Sequence, residues 1–140
     1  MSWIIYASLS AVFAALTAIL AKIGIKGVNS NLATAIRTVV IVFFAWGIVF
    51  AQGLQKDIQH LSKGTIIFLV LSGLATGLSW LFYFKALQIG EASKVAPIDK
   101  FSLVLTIIFA ALILKEKITL PIGIGVALVT LGTYIIAFVK

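Results

Sequence analysis

Five apolar runs limit what this chain can fold into more than any other feature. They lie at Trp3 to Ala21, Leu32 to Ala51, Thr65 to Phe84, Val95 to Leu114 and Pro121 to Val139. Each is about 19 or 20 residues long, enough for a helix to cross a bilayer core of about 30 Å. Composition agrees: 62% of the residues are hydrophobic and 11% are charged, against roughly 25% charged in a soluble globular domain. The expectation is an all-α, polytopic membrane protein with five transmembrane helices per chain, held in the cell's inner (plasma) membrane. The connectors are short, so residues 1–140 read as a single five-helix unit whose function lies in the helices. Lys22 follows the first run without a small-residue cleavage pattern, and no basic segment precedes it, so it reads as a retained helix and not a signal peptide.

Several chemistries find no support. The chain has no cysteine, hence no disulfide framework and no thiolate metal site. Its single histidine, His60, sits in the polar connector "QGLQKDIQHLSK" and reads as a solvated loop residue. No phosphate-binding loop occurs, so neither a nucleotide nor another cofactor is expected. A net charge of +7 would suggest nucleic acid in a soluble protein. Here the bases stand at span ends, where anchoring to membrane lipid and topology explain them better. An intramembrane enzyme is disfavoured, because the spans offer one secure acid, no histidine and no cysteine.

Five crossings put the termini on opposite sides. Lys22, Lys26, Arg37, Lys85, Lys94, Lys100 and Lys140 fall on one side; Lys56, Lys63, Lys115 and Lys117 fall on the other. A literal positive-inside reading places the C-terminus in the cytoplasm. Setting aside Arg37 and Lys100, which read as lying inside spans, leaves five bases against four. So weak a bias is compatible with insertion in both orientations.

Helical spacing shows which faces are polar. Ser72, Thr76, Ser79 and Tyr83 form one stripe of the third span, and Asp99, Ser102 and Thr106, followed by Ala110, form another on the fourth. Such stripes can be bland, each hydroxyl bonding its own i−4 carbonyl, or they can line a shared cavity. Gly73 and Gly77 in "GLATG", and Gly125 and Gly132, are small residues that let helices approach, within one chain or between two.

Asp99 and Lys100 open the fourth span directly after Pro97. A charge at the bilayer centre costs at least about 2.5 kcal/mol on insertion scales and is usually sheltered by a partner, a bundle interior or water. Neighbours in a helix point about 100° apart, so their partners are expected from other helices. Arg37, on the same side and at comparable depth, is the candidate partner of Asp99. Pro97 either starts the helix or kinks it, and leaves backbone polar groups exposed beside Asp99. Lys22, Lys85 and Glu91 join this mouth, unless the bases only snorkel to head groups. Glu116, in "LKEKIT", is expected to pair locally and support the turn into the last helix.

The segment "YFKALQIGEASKVAPIDKFSLVLTIIFAALILKEKITLPIGIGVALVTLGTYIIAF" resembles the EamA-type repeat of the drug/metabolite transporter superfamily, in its "ALQIGEAS", "VAPIDKFS", "KEKIT" and glycine-spaced last helix. Arg37, early in the second span, resembles that pattern too. The usual member of the family is similar to two such repeats in tandem, and a five-helix unit copied in tandem is inverted automatically. A single repeat must take its inverted partner from another molecule. The resemblance therefore implies a secondary active transporter, an exporter of a small metabolite or amino-acid-like solute, working by alternating access as inverted repeats paired in an antiparallel homodimer. Asp99 becomes the candidate proton-linked or substrate-cation site, or a structural group if Arg37 holds it permanently. The basic cluster suits an anionic or zwitterionic solute; Trp80, Tyr83 and Phe84 suit an aromatic or cationic one, with Trp80 favoured because it lies about a turn deeper. The other reading is a non-transporting assembly subunit, or one half of an obligate heterodimeric transporter.

Overall fold

The computed structural model describes residues 2–138, so Val139, at the end of the fifth expected span, and Lys140 lie outside the described residues. Its order is α1 (Trp3–Gly24), α2 (Ser30–Ala51), a short 3-10 helix (Leu54–His60), α3 (Lys63–Ile89), α4 (Ala92–Asp99), α5 (Phe101–Ile113) and α6 (Leu120–Phe138). With α4 and α5 taken together as Ala92–Ile113, five helical stretches are long and apolar enough to cross a membrane.

The helices stop where the sequence supplies turn chemistry. After α1 the backbone turns through Gly27 at a φ of 73°, a conformation costly for residues with a Cβ. Asn29 then caps α2, its side-chain oxygen accepting from the Asn31 amide at 2.9 Å. Gly53, at a φ of 72°, follows α2 and donates its amide to the Phe50 carbonyl, the usual glycine exit from a helix. Ser62 caps α3 by accepting from the Thr65 amide at 3.0 Å.

Burial is the reverse of that in a soluble protein. Among the described residues the buried apolar side chains are Ala18, Ile25, Phe84 and Leu87, and the buried polar ones are Ser30, Thr34 and Thr133. Large apolar side chains such as Phe43, Phe68, Phe82 and Leu120 are three-quarters exposed. Such a surface is stable only against lipid tails or other apolar helices. The chain is therefore a multi-pass membrane protein in contact with lipid.

The described residues divide into two compact units, Leu20–Gln88 and the remainder. The first is a helical hairpin of α2 and α3 with the end of α1. Its seam contains Ser30, Thr34, Phe84 and Leu87. Thr34 Oγ1 donates to the Ser30 carbonyl at 2.9 Å, so a buried hydroxyl is satisfied without a partner from another helix. In the second unit α6 packs against α4 and α5.

Two boundaries differ from the expected ones. Helix α3 runs five residues past Phe84, to Ile89, because Leu87 is wholly buried and the last turn is tied down. Lys22 Nζ donates to the Leu87 carbonyl, and Gln88 Nε2 donates to the Val28 carbonyl at 2.8 Å. The fourth span is two helices: α4 begins five residues before Pro97 and the break falls at Lys100.

Candidate functional site

In the hairpin the central group is Arg37, on the third turn of α2. Its guanidinium carbon lies 4.1 Å from the centroid of the Trp80 ring and 5.3 Å from that of Phe84. The hairpin is antiparallel, so Trp80 lies one helical turn deeper than Phe84 from the end where α2 begins and α3 finishes. A snorkelling arginine would reach toward that end. This one lies closer to the deeper ring, within cation–π range. Its Nη1 is buried and has no hydrogen-bond partner among the described residues.

The flank of α3 that carries Trp80 also carries Ser72, Thr76, Ser79 and Tyr83. The three hydroxyl residues are exposed; Thr76 Oγ1 donates to the Ser72 carbonyl at 2.9 Å. Thr38 does the same toward Thr34 at 2.8 Å. Each of these threonines has spent its one proton on its own helix and offers only oxygen lone pairs outward. On the opposite flank of the seam an open groove of about 540 Å³ runs along Asn31, Thr38, Val42, Phe43, Gly77 and Leu81. Lys85, which bonds Gln88 Oε1 at 3.2 Å, stands at a smaller pocket at its end.

In the second unit the break between α4 and α5 carries the charges. Asp99 Oδ2 and Lys100 Nζ are 3.7 Å apart. This corrects the expectation that the two neighbours need partners from other helices: the 100° separation holds only in a continuous helix, and the chain leaves the helix at Lys100. The pair is long and half exposed, so it binds neither group tightly. The Lys100 amide donates to the Ala96 and Pro97 carbonyls, whereas Pro97 has no N–H for the carbonyl of Ser93. Ser102 and Thr106 follow on α5, with Thr106 Oγ1 donating to the Ser102 carbonyl at 2.8 Å.

Outside these two centres, Glu91 pairs with Lys94 at 3.4 Å on the surface, and His60 is exposed on the 3-10 helix. Among the described residues Glu116 makes no ion pair within 4.0 Å; its backbone N–H closes the end of α5 on the Ala110 carbonyl. Sequence reasoning missed the anchoring of α3 by Lys22 and Gln88. It also missed the placement of Arg37 over Trp80, for which no local signal exists.

The EamA-like transporter family model matches residues 1–138, and the chain belongs to that family. It is 49% identical over 136 residues to an uncharacterized transporter in the cobO 3′ region of Sinorhizobium sp., covering 97% of this chain and 96% of the relative. It is 28% identical over 82 residues to an uncharacterized protein of Methanocaldococcus jannaschii, covering 59% of this chain and 60% of the other. No solved structure matches it.

Proposed function

We propose that the protein is a secondary active transporter of the inner membrane, exporting a small metabolite or amino-acid-like solute, and that it works as an antiparallel homodimer of single five-helix units. The observation that carries the reading is the family match over almost the whole chain at the length of one repeat. The Sinorhizobium transporter, covered nearly end to end, agrees with it. The polar flank of the hairpin, with Arg37 and Trp80, and the broken helix with Asp99, Lys100, Ser102 and Thr106 are the groups assigned to the solute and ion pathway. Asp99 is the coupling group.

Two features support a second copy as the partner. The near balance of bases is compatible with insertion in both orientations. A Cβ built on Gly73, Gly77, Gly125 or Gly132 meets nothing within 4 Å. Among the described residues each of these positions leaves room at the helix surface, and Gly77 borders the open groove, where a helix of another copy can approach.

The test is cysteine accessibility with Ser2→Cys and Lys140→Cys in intact cells. Labelling of each position from both sides is expected; labelling of each from one side alone excludes dual insertion. A transport-inactive homodimer in liposomes, restored by a second protein, would favour the heterodimer reading instead.

A further inference from the structure

We infer that Arg37 is the recognition group for a carboxylate on the transported solute, which resolves the solute class toward monocarboxylates or zwitterions and away from organic cations. The inference rests on the transporter reading above and names the ligand chemistry of its hairpin half.

A cation over an aromatic face is only half provided for. The ring quadrupole attracts the charge, but it offers no strong acceptor to the five N–H donors of a guanidinium. In Arg37 one of those nitrogens is buried without a partner, a condition that proteins rarely leave unrelieved. The hairpin supplies no carboxylate to it. Its two spanning helices contain no acidic residue. The acid of this unit, Asp57, lies on the 3-10 helix beyond the far end of α2, and Arg37 stands about 20 Å along the helix axis from that end.

The threonines of the hairpin fit the same occupant. Thr34, Thr38 and Thr76 have given their protons to backbone carbonyls, so none of them donates to an anion in its present rotamer. The guanidinium is the charged donor at this depth of the hairpin. A guanidinium fork matches a carboxylate in two parallel hydrogen bonds, and each is stronger for being charge-assisted. The arrangement also decides what the aromatic residues do. Arg37 lies over the Trp80 ring and near that of Phe84. A cationic solute would find both the ring occupied and a like charge beside it.

The test uses the full chain with Trp3→Phe and Trp46→Phe, so that Trp80 is the sole indole and its emission reports on the guanidinium above it. The purified protein in neutral detergent is titrated with 4-methylpentanoate, leucine and 3-methylbutylamine, which share a side chain and differ in charge. Saturable change is expected with the first two and none with the amine. Arg37→Gln should abolish the response, and Arg37→Lys should weaken the apparent affinity about tenfold or more, since a point charge replaces the fork. Helical circular dichroism and elution volume check that each variant folds; should Arg37→Gln not fold, the Lys variant decides, and unchanged affinity there overturns the inference. A response to the amine alone, a response that survives Arg37→Gln, or silence toward both carboxylates also overturns it. Silence combined with an emission change on Asp99→Asn would identify Asp99 as the permanent counter-ion instead. Flux of the same probes into proteoliposomes separates the two readings: Arg37-dependent binding without flux removes the transporter reading and leaves the carboxylate site. Amine flux that is indifferent to Arg37→Gln does the opposite.

Discussion

The hairpin and the second unit each place charge inside an apolar span, and they stabilise it by opposite means. The hairpin keeps its helices intact and lays an unpaired cation over an indole ring from the neighbouring helix. The second unit breaks its helix and lets an acid and a base, adjacent in sequence, meet across the break. The first solution leaves a net positive charge with donors to offer. The second sums to zero across a half-exposed pair.

The comparison breaks most sharply at Asp99. Asp99→Asn keeps the volume and removes the charge, and it should abolish coupled transport in proteoliposomes while the protein remains folded and extractable; wild-type flux in that variant would reduce the broken helix to a structural feature. On the hairpin side Trp80→Leu removes the ring that holds Arg37. A loss of about 1 to 2 kcal/mol is expected for a desolvated cation–π pair, read as a lower midpoint of thermal unfolding in detergent, and no change there would mean that the ring and cation are merely adjacent. Asn29→Ala removes the cap of α2 and should cost about 1 kcal/mol, confined to the hairpin and visible as faster amide exchange over Ser30 to Ala33. Lys22→Met tests the anchoring of α3 and should cost less, about 0.3 to 1 kcal/mol for a cation at a helix C-terminus. Faster exchange over the last turn of α3, with α6 unaffected, is the expected pattern.

Much of the fold is legible along the chain. Membrane insertion depends on the summed hydropathy of about 20 consecutive residues, so the five spans emerge from local sequence, while the caps at Asn29, Gly53 and Ser62 appear in the structure. Pro97 announced an interruption, although not its position three residues later. The length of α3 was not legible, because Lys85 and Gln88 look like the end of an apolar run until Lys22 and Val28 are seen to hold that turn in place. Arg37 and Trp80 were each singled out by the sequence, but as separate candidates, one for Asp99 and one for the solute.

The sequence by itself determined that this is a five-helix membrane protein with the repeat pattern of the EamA-like transporters, because hydropathy and motif spacing are properties of contiguous residues. Only the tertiary structure decided which group lies beside which charge: Trp80 by Arg37, from 43 residues away in the chain, and Asp99 by Lys100, once the helix opens between them. The reason is geometric. A side chain's partner is fixed by the face its helix turns toward another element, and by whether that helix is whole, and neither can be summed along a sequence.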